Sequence, residues 1–136
     1  MTVTEYALKF VGRPYVWGGD GSGQYGGGFD CSGLAVECLR AFGLIAQRDY
    51  TAQALYTLLK GSWREVPRGF FAEGDVIFWG KDASHISHVS LALGSSLHIE
   101  AGGGGSQCKS AEKSTGMVRI RPLTSRSDFV ACLRAP

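Results

Sequence analysis

Residues 29–43 read FDCSGLAVECLRAFG and place a cysteine at the start of a helical pattern. The apolar side chains recur with the spacing of one helix face, at Cys31, Leu34, Ala35, Cys38, Leu39 and Phe42, and Gly43 ends the pattern. A thiol at a helix N-terminus lies near the positive end of the helix dipole and near unpaired N–H groups, which favour the thiolate. The stretch therefore predicts a helix that begins at Cys31 and makes this cysteine a candidate nucleophile. The alternative is that Cys31 simply begins the buried face.

Helical patterns fill the first half of the chain and strand patterns the second half. Thr2 and Glu5 form a capping-box pattern that predicts a helix over about residues 3–11. A third helix, over about 51–60, is expected to bury Ala54, Leu55, Leu58 and Leu59. Runs of β-branched and aromatic residues predict strands over 76–79, 88–93, 97–101, 118–121 and 129–133. Helices followed by strands indicate an α+β fold with an antiparallel sheet, and 136 residues suit a single domain over 1–136.

The segment before Cys31, residues 13–29, is rich in glycine and is predicted to be a loop. Within it, Gly21 to Gly26 matches the glycine pattern that cradles pyrophosphate in dinucleotide-binding proteins. A dinucleotide site needs a helix that begins within the motif and a second strand after that helix. Here the helix begins five residues after Gly26, and no strand is predicted directly after it. We therefore expect these glycines to let the loop lie beside Cys31 and to shape the floor and rim of a cleft. A second glycine-rich stretch, 102–116, predicts a long mobile surface loop.

Three histidines in the strand region are candidate bases for this cysteine. A cysteine nucleophile needs a base within hydrogen-bond reach and a group that orients the base. Strand alternation places His88 opposite the apolar face of its strand, and places His98 and Glu100 together on the polar face of the next strand. His85 lies in the connection before the strand and is expected to be a polar loop residue. Each histidine alone is more simply explained as an ordinary surface or hydrogen-bonded residue, so the choice of a base depends on how the two strands pair.

The pairing of the two strands follows from matching their apolar residues. Leu93 opposite Leu97 closes a three-residue loop and leaves His88 and Glu100 as diagonal neighbours about 7 Å apart at the backbone. Their side chains can then meet. We therefore predict His88 as the base and Glu100 as the residue that orients its ring, in the geometry of a catalytic triad. His98 lies nearer the turn and is the rival orienting residue.

Composition and charge exclude several classes of function. A formal charge of +2 without a stripe of Lys and Arg gives no nucleic-acid footprint, although weak attraction to an anionic polymer is compatible with it. The longest apolar runs fall short of the ~20 residues of a bilayer span, so no membrane insertion is expected. The N-terminus lacks the pattern of a secretory signal. The four cysteines have neither disulfide-framework nor zinc-site spacing and are predicted to be free thiols.

Four motifs in order along the chain resemble the NlpC family of papain-like cell-wall peptidases. They are RPYVWGG (13–19), FDCSGL (29–34), GDVIF (74–78) and SHVSL (87–91). The resemblance spans most of the chain and implies a papain-like α+β fold, with N-terminal helices packed on a C-terminal antiparallel sheet.

The resemblance also implies roles for six residues. Cys31 corresponds to the nucleophile and His88 to the base. Glu100 stands at the third polar position, where family members often have His, Asn or Gln. Tyr15 corresponds to a tyrosine near the oxyanion and substrate cleft, while Asp30 and Ser32 correspond to residues that meet the free amino end of a stem peptide. The alternatives are a buried core role for Tyr15 and a helix N-cap for Asp30.

The function implied is hydrolysis of peptide bonds in peptidoglycan stems, commonly between γ-D-glutamate and a diamino acid. The chemistry is acyl transfer through a thioester and needs no metal or cofactor. Two later stretches, EAGGGG (100–105) and MVRIRPL (117–123), resemble small family members of bacteriophages and gene-transfer particles. This resemblance implies synthesis in the cytoplasm, phage tail proteins as partners and action on the bacterial wall from a particle. An amidase or acyltransferase, and a non-catalytic tail-tip or wall-binding module, are the alternatives.

Overall fold

The computed structural model describes residues 1–136 and contains three α-helices and six β-strands. The helices are α1 (Val3–Leu8), α2 (Cys31–Ala41) and α3 (Ala52–Leu59). The strands are β1 (Arg64–Glu65), β2 (Val76–Gly80), β3 (Ile86–Ala92), β4 (Leu97–Gly102), β5 (Met117–Pro122) and β6 (Phe129–Arg134). This order confirms the α+β class, and only the two-residue strand β1 is absent from the sequence-based prediction. None of the helices has the length and apolar character needed to cross a membrane.

The six strands form one sheet in the order β1-β6-β2-β3-β4-β5, and neighbouring strands are antiparallel. In the hairpin of β3 and β4, Ala92 pairs with His98, and the Leu93 N–H donates a hydrogen bond of 2.9 Å to the Leu97 carbonyl. This is the register predicted from matching the apolar residues of the two strands. The short turn between them keeps this pairing fixed.

The central strands of the sheet are buried on both faces. On one face, Leu34 and Leu39 of α2 and Leu55 of α3 form the main core with the side chains of β2, β3 and β4. On the other face, Ile77 and Trp79 belong to a smaller apolar cluster that β6 and the segment before β2 complete. The polar side chains that alternation assigns to this second face therefore lie inside the protein, where each needs a hydrogen-bond partner.

The helices differ from their sequence-based prediction in two ways: α1 is shorter, and some side chains predicted to be buried are exposed. The capping box of Thr2 and Glu5 is present, but α1 ends at Leu8 rather than near residue 11. The chain leaves the helix there because it pairs with the outer edge of β5, where the Gly12 N–H donates to the Val118 carbonyl over 2.8 Å. Three side chains expected on buried helix faces are exposed: Phe42, Ala54 and Leu58.

Asp30 caps α2 and ties its first turn to the glycine-rich loop. The Asp30 carboxylate accepts hydrogen bonds from the N–H groups of Gly33, at 2.7 Å, and Gly18, at 3.1 Å. The Asp30 N–H in turn donates to the Gly19 carbonyl over 3.1 Å. This is the N-cap role that the sequence left open as an alternative. The loop and the helix therefore fix the position of Cys31 together.

The contact between α2 and the loop leaves no room for a side chain at Gly33. A Cβ there would overlap the backbone carbonyl oxygen of Gly19 and crowd the Asp30 carboxylate. We expect Gly33→Ala to lower the free energy of unfolding by about 3 kcal/mol, the upper range for overpacking, as measured by urea denaturation. Gly23→Ala is the matched control, since a Cβ at Gly23 meets no atom within 4 Å. Equal stability of the two variants would contradict this close packing.

Candidate active site

The start of α2 and the middle of the sheet enclose a cleft of about 240 Å³. Four of the predicted site residues line it: Tyr15, Cys31, His88 and Glu100. The rest of the wall is formed by Trp17, Ser87, Ala101, Gly102, Gly103, Gly104, Gly105, Arg119 and Arg126. The packing of α2 on the sheet thus brings the predicted nucleophile, base and orienting residue into one cleft.

The sulfur of Cys31 lies against the backbone of β3. Its Sγ is 4.0 Å from the carbonyl oxygen of Ser87, the residue before His88. Burial and the nearby Asp30 carboxylate raise the pKa of the Cys31 thiol to about 11, although the N–H groups of Val89 and Ser32 act in the opposite direction. Burial therefore opposes the stabilisation of the thiolate that we expect from the helix N-terminus. The thiol is protonated near neutral pH and needs a base.

His88 and Glu100 form a buried hydrogen-bonded pair. The His88 Nε2 lies 2.8 Å from the Glu100 Oε1, and both side chains are almost fully buried. Nδ1 of His88 has no hydrogen-bond partner within the protein and is partly accessible to solvent. It is therefore the ring nitrogen that can bond to a group in the cleft. Burial acts to raise the pKa of Glu100, but the hydrogen bonds from His88 and Arg119 prevail and lower it to about 2. Glu100 is therefore ionised throughout the neutral range.

Two arginines of the cleft were missed by the sequence reasoning. Arg119 Nε donates to the second carboxylate oxygen of Glu100 over 2.9 Å, and Arg126 binds Asp128 through two nitrogens at 3.0 and 2.8 Å. Arg119 is the direct cross-strand partner of Glu100 in the pairing of β4 with β5. Strand alternation could have indicated this contact, but the long segment between the two strands leaves their register undetermined from sequence.

His98 lies behind Glu100 rather than beside His88. Its Nδ1 is 2.6 Å from the Ser90 hydroxyl oxygen, which also accepts a hydrogen bond of 2.9 Å from Trp79 Nε1. Its Nε2 is 3.9 Å from the Glu100 Oε1. Burial lowers the pKa of His98 to about 4, so the ring is neutral near pH 7. Of the two candidate orienting residues, Glu100 is the one that contacts His88.

The other predicted site residues occupy different surroundings. Tyr15 is buried at the cleft. Burial is the main cause that raises the pKa of Tyr15, and the negative charge of an ionised Cys31 is the second, so the phenol keeps its proton. Asp30 and Ser32 instead line a larger cavity of about 870 Å³ on the other side of the first turn of α2. His85 is exposed and bonds to Asp82 over 2.8 Å, as expected for a polar loop residue.

Glycines line the cleft, but they are not the predicted ones. The glycines of residues 102–105 form its wall, whereas those of the first loop, such as Gly19 and Gly21, line the larger cavity. A Cβ at Gly104 would overlap the ring of Tyr15, so the backbone lies directly on that ring. The Cys108 carbonyl accepts from the Trp17 N–H over 2.7 Å, and the Cys108 side chain is fully buried. The stretch 102–116 is therefore anchored at these points, while many of its other residues are exposed, as predicted for a surface loop.

All four cysteines are free thiols, as predicted. Outside the cleft, Cys38, Cys108 and Cys132 are fully buried. No three side chains of the His, Cys, Asp and Glu types are arranged to hold a metal ion.

Helices packed on an antiparallel sheet, with a cysteine at a helix start facing a histidine on the sheet, define the papain-like class of α+β domain. The chain belongs to the NlpC/P60 family, whose model matches residues 12–121. It is 33% identical over 125 residues to the peptidoglycan endopeptidase RipA of Mycolicibacterium smegmatis, covering 85% of this chain and 24% of that protein. It is 32% identical over 108 residues to the bifunctional muramidase/DL-endopeptidase CwlT of Bacillus subtilis, covering 78% of this chain and 30% of that protein. The chain thus spans about a quarter to a third of these relatives.

Solved structures of the family share the fold. An NlpC/P60 family protein from Bacillus cereus superposes with a TM-score of 0.72 at 23% identity, over 98% of this chain and 39% of that one. RipD of Mycobacterium tuberculosis, described as a non-catalytic NlpC/p60 domain protein adapted to peptidoglycan binding, gives a TM-score of 0.69 at 24% identity, over 98% and 94% of the two chains. The papain-like fold predicted from the sequence is thus confirmed. The non-catalytic protein RipD shares this fold.

Proposed function

We propose that this protein is a peptidoglycan hydrolase, a cysteine endopeptidase that cleaves stem peptides at the bond between γ-D-glutamate and a diamino acid. The observation that carries the proposal is the cleft in which Cys31 faces β3 beside the hydrogen-bonded pair of His88 and Glu100. The names of the relatives, which are peptidoglycan endopeptidases, supply the substrate class. The position of the bond is inferred from the family resemblance.

Acylation begins with transfer of the Cys31 thiol proton to Nδ1 of His88. The thiolate sulfur attacks the carbonyl carbon of the scissile amide and forms a C–S bond, while the carbonyl electron pair moves to oxygen. The oxyanion returns its electron pair, the C–N bond breaks, and the imidazolium gives its proton to the leaving amine. Glu100 holds the far side of the ring through Nε2 and stabilises the imidazolium. The products are a thioester on Cys31 and the free amine of the diamino acid.

Deacylation repeats the same steps with water as the nucleophile. His88 takes a proton from water, the hydroxide oxygen attacks the thioester carbonyl, and the sulfur leaves and recovers its proton from the imidazolium. The product is the γ-carboxyl group of the glutamate residue, which loses its proton to solvent, and the enzyme returns to its thiol form.

The oxyanion has two donors within the cleft. The backbone N–H of Cys31, the first residue of α2, has no hydrogen-bond partner in the protein. Tyr15 keeps its phenolic proton and lines the same cleft, so we assign its hydroxyl as the second donor. Asp30 acts from the other side as the cap that fixes the helix start. Together with Ser32 it lines the larger cavity, where we place the amino end of the stem peptide.

The proposal is tested by product analysis on purified muropeptides with tripeptide and tetrapeptide stems. The expected result, read by mass spectrometry, is a new amino terminus on the diamino acid together with a new carboxylate on the γ-glutamyl residue. Cleavage between the sugar and the first stem residue would indicate an amidase, and transfer to an added amine instead of water would indicate an acyltransferase. Both outcomes would overturn the endopeptidase assignment.

A non-catalytic wall-binding module is the second candidate. The raised pKa of Cys31 and the existence of RipD as a non-catalytic relative by fold favour it. Its signature is binding to purified sacculi without release of new termini, measured by co-sedimentation alongside the product assay.

Delivery by a phage tail or a gene-transfer particle, with tail proteins as partners, also belongs to the proposal and rests on the resemblance of residues 100–105 and 117–123. Mass spectrometry of purified particles from the source strain tests it. Absence of the protein from particles, with its presence in the cell, would contradict this delivery route.

A further inference from the structure

Glu100 is a buried carboxylate that is held on both oxygens from two different strands. His88 on β3 bonds to Oε1 at 2.8 Å, and Arg119 on β5 donates to Oε2 at 2.9 Å. The Glu100 side chain is 4% exposed and the Arg119 side chain 31% exposed. Arg119 therefore reaches from the rim of the cleft to the carboxylate and leaves the opposite oxygen for His88.

Two glycines at the end of β4 leave the space that this ion pair occupies. A Cβ at Gly102 would lie 2.5 Å from the Glu100 Oε2 and 3.1 Å from an Arg119 nitrogen. A Cβ at Gly103 would lie 3.0 Å from another nitrogen of the same guanidinium. The backbone at this point therefore fits an arginine bound to Glu100, and a larger residue at either glycine would displace it.

No other cation is paired with Glu100. His98, on the same strand, comes within 3.9 Å of Oε1, but burial lowers its pKa to about 4 and leaves it neutral. The charged and titratable groups facing the His88 and Glu100 pair from the other segments are Tyr15 in the first loop, Cys31 on α2, Arg119 on β5, and Arg126 with Asp128 before β6. The last two bind each other through two hydrogen bonds. The charge of Glu100 is thus balanced by Arg119.

We propose that Arg119 is a positioning residue for the reaction proposed above, on which this inference rests. It fixes the Glu100 carboxylate against Nε2 of His88 and cancels its charge, so that the ion pair acts on the ring as a neutral hydrogen-bond acceptor. An unbalanced carboxylate would stabilise the imidazolium more strongly. His88 would then take the thiol proton more readily but would release it less readily to the leaving amine.

The test compares Arg119→Gln, Arg119→Lys and the matched control Arg121→Gln. Arg121 lies two residues along the same strand, does not line the cleft and makes no hydrogen bond with Glu100. Two properties are measured against pH: kcat/KM on the muropeptide, and the rate of Cys31 alkylation by iodoacetamide located by mass spectrometry. Alkylation needs no substrate, and Cys31 is the one cysteine that is not fully buried.

For Arg119→Gln we expect kcat/KM at pH 7 to fall about tenfold, in the range typical for groups that orient a reacting residue. The alkylation midpoint should move about one pH unit lower, and the alkaline limb of kcat/KM about one unit higher. Arg119→Lys keeps the charge without the planar fork, so its midpoint should stay near that of the wild type while kcat falls. Arg121→Gln should match the wild type in both profiles.

A pH profile of Arg119→Gln that superimposes on that of Arg121→Gln would overturn the inference. Equal activity losses for Arg119→Gln and Arg119→Lys without a pH shift would also overturn it.

If Arg119→Gln does not fold, the double variant Glu100→Gln/Arg119→Gln is tested in its place, because it buries no unpaired charge. The double variant should keep the wild-type alkylation midpoint, and a displaced midpoint would overturn the inference. An alkylation shift in a protein that cleaves no muropeptide would reject the proposed function while supporting the role of Arg119 at the thiol.

Discussion

Cys31→Ala is expected to abolish the release of new termini from muropeptides. The substitution removes the sulfur that forms the thioester, and no other thiol can take its place because the remaining three cysteines are fully buried outside the cleft. The fold should persist, since Cys31 is only partly buried at a helix start whose cap, Asp30, is unchanged. The measurement is the rate of product formation by mass spectrometry, with urea denaturation to compare the stability of the variant with that of the wild type.

Cys38→Ala provides the matched control for this result. Cys38 lies two turns later on the same helix and is fully buried in the main core. Its replacement should reduce stability by about 1 kcal/mol through a small cavity while leaving the rate per folded molecule unchanged. Product release by Cys31→Ala at more than a trace of the wild-type rate would reject Cys31 as the nucleophile and with it the cysteine-peptidase mechanism.

His88→Ala is expected to lower kcat/KM at pH 7 by about a thousandfold, within the range known for loss of a general base. A Cys31 thiol with a pKa of about 11 is ionised in roughly one molecule in ten thousand at pH 7 when no neighbouring base accepts its proton. The activity that remains should therefore rise about tenfold for each pH unit between 7 and 9, because the thiolate fraction grows by that factor. The wild type should not show this slope.

The comparison for His88 is His85→Ala, three residues earlier in the chain. His85 is exposed and bonds to Asp82 outside the cleft, so its loss should leave both kcat/KM and its pH dependence unchanged. Activity of His88→Ala within about threefold of the wild type at pH 7 would exclude His88 as the base. A loss of activity with no dependence on pH would point instead to damage to the sheet.

The sequence predicts the hairpin of the candidate site well because the constraint on it is local. Leu93 and Leu97 are four residues apart, and a short turn with apolar residues on one face allows a single register. That register places His88 and Glu100 within reach, and the structure has them 2.8 Å apart. The helix start at Cys31 is likewise encoded locally, by its apolar spacing and by the cap at Asp30.

The parts that the sequence does not predict depend on contacts between distant segments. Arg119 meets Glu100 across strands separated by a long irregular segment, so no local pattern sets their pairing. The pKa of Cys31 depends on how deeply α2 packs against β3, which no helix pattern reports. The exposure of Leu58 is likewise not predicted, because helical spacing defines an apolar stripe without saying how much of it is covered.

The packing of α2 onto β3 has a consequence for how reactivity arises during folding. Cys31 is in the first quarter of the chain, whereas His88, Glu100 and Arg119 lie on three strands of its second half. The contacts that join them are long-range ones, which form only after the intervening segments are in place. A nascent or partly unfolded chain therefore carries an ordinary thiol without its base. The reaction proposed for this cleft therefore cannot occur until the native topology is complete. Folding thus prevents Cys31 from attacking a peptide bond before the protein reaches its native state.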